Sequence, residues 1–305
     1  MNFSRRNLLL TTSALLPLAM ASAPAALAVE PATHRPTGRK YSVPAEGGIT
    51  LAVESWGKPE HPAIVLIHGL GQTRLAWSTL IENLAPRFHV VAYDLRGHGE
   101  SDKPLDSEAY VDGERWADDL HRVIQVAQVQ HPAVVAWSLG GVVVCHYLRV
   151  FGEERIGRLV FVGAVTDFSA QYFEPATGEI LSGLEAEDLS SRTRAVRAFV
   201  DASFAQPLPH SLREDMLVWG GMVPAKVHAA IRRLPLVDAD VALRKLTRPT
   251  LVIHGARDKL VKPSMGQHTH TLIAGSRYMT FSQSGHGPML DEPARFNATL
   301  AGFCS

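Results

Sequence analysis

Val134-Val135-Ala136-Trp137-Ser138-Leu139-Gly140-Gly141 carries an unbroken apolar run directly into a turn of small residues with a single serine at its centre. A serine on so sharp a strand-to-helix turn is forced into a strained backbone conformation, which lifts its hydroxyl clear of the sheet. The positions two residues to either side must be small for the turn to close, and here they are Ala136 and Gly140. The pattern is a G-x-S-x-G variant with alanine in the first place, and it makes Ser138 the candidate nucleophile. Gly-rich turns with a serine also occur as plain strand-to-helix connections, so the assignment depends on what the rest of the chain supplies.

To either side of this run, strand signals recur at 41–43, 49–55, 63–67, 89–93, 133–136, 159–162, 250–253 and 278–281. Several are apolar without interruption, as expected for strands covered on both faces. Helical patterns at 76–84, 110–129, 139–150, 264–273 and 293–303 alternate with the later strands. The expected fold is α/β, a mainly parallel eight-stranded sheet flanked by helices. The alternation stops between 167 and 248, a mostly helical stretch too long for a loop, which contains Tyr172, Phe173, Phe204, Trp219 and Met222. It reads as a helical cap inserted after the sixth strand, dividing the core into 41–166 and 249–305. No internal repeat is visible.

Residues 1–28 are set apart from the fold. Arg5-Arg6-Asn7 precedes an apolar stretch from Leu8 to Met20, and Ala26-Leu27-Ala28 offers a small-residue cleavage site. This is the pattern of a signal peptide, and the arginine pair resembles a twin-arginine export signal. Its apolar stretch is too short and too polar for a permanent membrane span. The expected location is therefore periplasmic or secreted, with residues 29–40 as a flexible Pro- and Ala-rich lead-in.

Thirty basic and thirty acidic side chains cancel over 305 residues. No basic run tracks a phosphate backbone, which argues against nucleic-acid binding. The two cysteines, Cys145 and Cys304, are a weak cue even in an oxidising compartment; Cys145 reads as a small core residue, and pairing between them is left open.

A serine hydroxyl is a poor nucleophile at neutral pH unless a base takes its proton, and that base needs an acceptor to hold its tautomer. In open parallel sheets functional groups gather at the carboxyl ends of strands. Asp258 follows the strand in Leu251-Val252-Ile253-His254-Gly255, and His286 follows the next one in a Gly-flanked loop, Ser284-Gly285-His286-Gly287. Asp167, after another strand end, is the rival acid. His68 and His254 also sit at strand ends, but each precedes a glycine in a tight turn that suits a structural hydrogen bond. His268 and His270 are two apart on a helix and face different ways, so no metal is expected. The oxyanion donors expected are the backbone N–H groups of Leu139, opening the helix after Ser138, and Leu70, in the turn Ile67-His68-Gly69-Leu70-Gly71.

With these residues in place, the sequence resembles the α/β-hydrolase superfamily from about Tyr41 to Phe303. The motifs that carry the resemblance are His68-Gly69-Leu70-Gly71, Asp94-Leu95-Arg96-Gly97-His98-Gly99-Glu100-Ser101, the Ser138 turn, and the Asp258 and His286 loops. The resemblance implies a structural role for 94–101. It also implies that a serine at 138 separates the chain from the epoxide hydrolases and haloalkane dehalogenases, which carry aspartate there. The function expected is an exported serine hydrolase that cleaves a carboxylic ester through an acyl-enzyme, without cofactor. Lactonases, carbon–carbon bond hydrolases and cofactor-free perhydrolases share the pattern, and a ligand-binding protein on the same fold is the alternative of another class. Trp137, Phe168, Tyr172, Trp219 and Met222 are the expected lining of an apolar substrate pocket for a small ester or lactone.

Overall fold

The strands are β1 (Arg39–Ala45), β2 (Ile49–Trp56), β3 (Ala63–Ile67), β4 (His89–Tyr93), β5 (Ala133–Trp137), β6 (Arg158–Val162), β7 (Thr250–Gly255) and β8 (Arg277–Phe281) in the computed structural model, which describes residues 38–305. They form one eight-stranded sheet in the order β1-β2-β4-β3-β5-β6-β7-β8. β1 and β2 make an antiparallel hairpin, β2 runs antiparallel to β4, and every other pairing is parallel. The mainly parallel sheet expected from the sequence is the one observed.

Side chains alternate along each strand, so every central strand feeds two cores. Val65, Ile67, Val91, Tyr93, Val134 and Ala136 pack on one face. Ile64, Leu66, Val90, Ala92, Val135 and Val160 pack on the other. Helices α1 (Ser78–Leu84), α2 (Gly113–Val126) and α3 (Leu139–Phe151) begin the flanking layers, α2 and α3 on the first face and α1 on the second. Burying one such aliphatic side chain contributes about 1.5–3 kcal/mol, which is why these runs stay apolar at every position. Cys145 lies in the first core and Cys304 in the second, both unpaired, so the sheet stands between them.

The signal segment 1–28, with Arg5 and Arg6, lies outside the described residues, as does most of the expected lead-in. That lead-in ends earlier than 40. Arg39 and Lys40 already belong to β1, paired with Ser55 and Glu54 across the hairpin. β1 is an edge strand with one buried face, so polar residues are admitted where a central strand would be apolar. The helix expected over 110–129 is shorter at both ends. Asp112 caps it by accepting from the Glu114 amide, and the chain turns at Gln128 with φ +54°.

Between β6 and β7 lie a short 3-10 turn (Ala170–Tyr172) and five helices, α4 (Pro175–Leu184), α5 (Leu189–Ser203), α6 (His210–Met222), α7 (Ala225–Ile231) and α8 (Ala239–Arg244). α9 (Pro263–Leu272), α10 (Pro288–Asp291) and α11 (Pro293–Cys304) complete the chain. The inserted segment is tied to the loops at the carboxyl edge of the sheet. Glu174 donates its amide to Leu260 at 3.0 Å and Lys262 donates to Tyr172 at 2.8 Å. The Ser203 carbonyl at the end of α5 accepts from the amides of His286 and Gly287. α6 packs against the turn after β3: a Cβ on Gly71 would stand in ordinary contact, 3.8 Å, with Gly220 Cα. No described helix is long and apolar enough to cross a membrane.

Segment 94–101 is held by buried charge. Asp94 accepts from the amides of Arg74 and Glu100 at 2.7 and 2.8 Å and pairs with the Arg74 guanidinium, which also meets Glu54 and Glu100. Arg96 makes two 2.7 Å bonds to Asp119, both side chains fully enclosed.

Candidate active site

Ser138 adopts φ +54° and ψ −114° between β5 and α3, a conformation that costs a non-glycine residue on the order of 1–3 kcal/mol. Its neighbours over-determine it. The Ser138 amide donates to Val162 O at 3.1 Å, and its carbonyl accepts from Gly141 at 2.9 Å and Val165 at 3.0 Å. The small residues after it are sterically required: a Cβ on Gly140 would lie 3.0 Å from Ile67 O, and one on Gly141 would lie 2.7 Å from Val165 O. Ala136, two residues before, sits in register between Ile67 of β3 and Phe161 of β6 and is fully buried.

The turn after β3 lies directly against the serine. A Cβ on Gly69 would meet Ser138 Cβ at 2.9 Å, so only glycine admits this approach. The turn is braced from below by His68, whose Nε2 accepts from the Leu95 amide at 2.9 Å and whose Nδ1 therefore donates to Gly69 O at 2.8 Å. Burial pushes the His68 imidazole down to about 4, and both its nitrogens are engaged, which removes it as a base. Leu70 follows in this turn, and Leu139 opens α3, where first-turn N–H groups have no partner within the helix.

Asp258 and His286 come together from the loops after β7 and β8. His286 Nδ1 lies 2.7 Å from Asp258 Oδ2, and Asp258 Oδ1 accepts from the amides of Leu260 and Val261 at 2.9 Å each. Burial opposes the Asp258 charge, but the neighbouring His286 and hydrogen bonds from His254 and His286 outweigh it, holding the carboxyl well below the usual range. The two loops touch through glycine: a Cβ on Gly255 would lie 1.9 Å from Gly285 O. His286 also reaches the serine's neighbours. Trp137 Nε1 donates to His286 O at 2.7 Å, and a Cβ on Gly163 would stand 3.1 Å from His286 Nδ1. Asp291 holds the same loop through the Gly285 amide at 2.7 Å.

The other candidates separate. Asp167 accepts from Ser169 and lies 4.0 Å from His268, with no contact to His286. His270 turns to Ser276, away from His268. Asp167, Asp240 and His268 bring three potential ligand atoms close together, each residue partly exposed. Of the expected pocket residues, Trp137 and Trp219 are buried in one cluster, Tyr172 stacks on His268, and Phe168 and Met222 are 45% and 47% exposed. Trp137 lies under the His286 loop, its ring edge-on to Trp77 with centroids 6.1 Å apart. Three contributors escape sequence reading: His254 on Asp258, the Ser203 carbonyl and Asp291 on the His286 loop. A surface depression between α3 and α8, lined by Leu148, Arg149, Asp238 and Lys245, lies at the far end of α3, roughly 15–20 Å from Ser138 at 1.5 Å per residue.

Known proteins match this architecture. A family model described as alpha/beta hydrolase fold covers residues 62–293. A solved structure assigned as an aryl esterase from Burkholderia cenocepacia is 35% identical with a TM-score of 0.83, over 87% of this chain and 97% of that one. The esterase RhEst1 from Rhodococcus sp. ECU1013 is 29% identical with a TM-score of 0.81, over 87% and 98%. The bifunctional esterase/perhydrolase DCH of Acinetobacter calcoaceticus is 26% identical over 86% of this chain and 98% of its own.

Proposed function

The chain belongs to the alpha/beta hydrolase fold family, and on that premise we propose that it is a serine hydrolase cleaving a carboxylic ester through an acyl-enzyme. The observation that carries the reading is the 2.7 Å bond from His286 to a buried, ionised Asp258, on loops adjoining the strained Ser138 turn. The esterase relatives support the reaction class.

Ser138 Oγ attacks the ester carbonyl while His286 Nε2 takes its proton. Asp258 keeps the His286 proton on Nδ1, which leaves Nε2 free to act as base, and stabilises the imidazolium that forms. The N–H groups of Leu70 and Leu139 receive the oxyanion, and losing one such donor costs about 2.7–4 kcal/mol of transition-state stabilisation. The alcohol leaves with the proton from His286. Water, deprotonated by the same base, then releases the acid and restores Ser138.

The test is hydrolysis of p-nitrophenyl acetate and of short methyl esters by the wild type and by Ser138→Ala. The variant should retain its fold and lose turnover; turnover at the wild-type rate would refute the reading. A lactone panel run alongside separates ester from lactone preference by catalytic efficiency. Residues 1–28 complete the proposal as a twin-arginine signal peptide, supported by Arg5-Arg6-Asn7 and the apolar stretch that follows. The exported protein should begin at Val29, and a mature chain starting elsewhere would contradict that cleavage site.

A further inference from the structure

Asp258 faces two imidazoles, and the proposed reaction uses only one of them. His254, the fifth residue of β7, is fully enclosed. Its Nε2 lies 3.1 Å from Asp258 Oδ2 and 3.0 Å from Val261 O. Both neighbours only accept, so Nε2 carries the proton. The opposite nitrogen, Nδ1, is buried without a hydrogen-bond partner and rests against α9, where a Cβ on Gly266 would come within 2.7 Å of it. Glycine at 266 thus leaves a slot that fits this ring in this orientation.

A purely structural role would be to close the 258–261 turn. That turn is already closed by the Leu260 and Val261 amides on Asp258 Oδ1. What His254 adds acts on the other oxygen, the one that receives the His286 Nδ1–H. We infer that His254 is a positioning residue for the triad: its Nε2–H fixes the rotation of the Asp258 carboxylate and draws on the charge that would otherwise be directed wholly at His286. The inference rests on the triad reading above.

Two donors on one carboxylate oxygen divide its negative charge, and each weakens the other's hold. With His254 in place, His286 meets a less basic oxygen, which holds its imidazolium less strongly. Without it, Asp258 stabilises the His286 imidazolium more strongly, and the neutral base is available only at higher pH. The titratable groups facing the trio are few. On the His286 loop, Asp291 of α10 acts through the Gly285 amide. On β8, Tyr278 borders the Gly266 slot, its phenol pushed up by burial and turned toward Pro263. Among the described residues no lysine or arginine forms an ion pair with Asp258.

The experiment compares wild type, His254→Leu and His254→Gln with p-nitrophenyl acetate across pH, with Ser138→Ala as the control. His254→Leu should raise the acid-limb pKa of kcat/KM by about one unit and lower kcat with KM unchanged. His254→Gln, whose amide N–H reaches the same region, should keep the limb near the wild-type position. An unmoved limb in His254→Leu overturns the inference. If that variant does not fold, 15N-histidine spectra of the wild type, assigned through His254→Gln, decide: a protonated Nε2 with a bare Nδ1 supports the inference, and an Nδ1–H tautomer overturns it. Full turnover by Ser138→Ala would instead overturn the triad reading, so the two failures are distinguishable.

Discussion

Asp94 and Asp258 occupy equivalent places and have opposite partners. Each follows a core strand, each is buried, and each accepts two backbone N–H groups, from Arg74 and Glu100 in one case and from Leu260 and Val261 in the other. The side-chain partner separates them. Asp94 is paired with the Arg74 guanidinium, which does not give up its proton under any ordinary condition. Asp258 is paired with two imidazoles, which do. A buried carboxylate compensated by arginine braces a loop, whereas the same group compensated by histidine can support proton transfer. Burial alone does not tell the two apart.

Removing each charge at constant shape separates the two aspartates most strongly. Asp258→Asn should leave the fold intact and lower kcat by about 10⁴-fold, because the amide favours the wrong His286 tautomer. Near-normal kcat in this variant would erase the distinction. Asp94→Asn should do the reverse. Leaving Arg74 buried without its principal partner should destabilise the protein by about 3–5 kcal/mol, measured by denaturant unfolding, with kcat of the folded fraction close to wild type. A large loss of kcat without loss of stability would make Asp94 a functional residue.

Acid stability should differ by less. The His286 charge and imidazole hydrogen bonds outweigh burial and hold the Asp258 carboxyl below its usual range. A depressed folded-state value means that the stabilisation is fully present above the ordinary Asp pKa near 3.9 and is lost as pH falls through the lower folded value. Asp258→Asn should therefore show a shallower fall of Tm than the wild type below about pH 4. Parallel curves would mean that Asp258 is not held in this way.

The same contrast explains what was legible in the sequence. The Ser138 turn was readable because its requirements are contiguous: an apolar strand, small residues at 136 and 140, and a serine between them. The strands are readable to within two residues at each end, and in the central ones the reason is that burial on both faces leaves unbroken apolar runs. Asp258 and His286 could be picked out only by their position after successive strands, and the structure brings them to 2.7 Å. Nothing local to His254 reveals that Asp258, four positions on, folds back over it. The exposure of the expected pocket residues is not legible in the sequence for a related reason. Trp219 and Met222 are three apart on α6, yet one is buried and the other 47% exposed, a difference set by how the helix rests on the core. Tyr172, apolar like them, stacks on His268.

Labelling with a fluorophosphonate, which reacts preferentially with an activated serine, tests the nucleophile directly. One adduct per chain is expected, located on Ser138 by peptide mass spectrometry and absent from Ser138→Ala. An adduct on another residue, or undiminished labelling of Ser138→Ala, would contradict it.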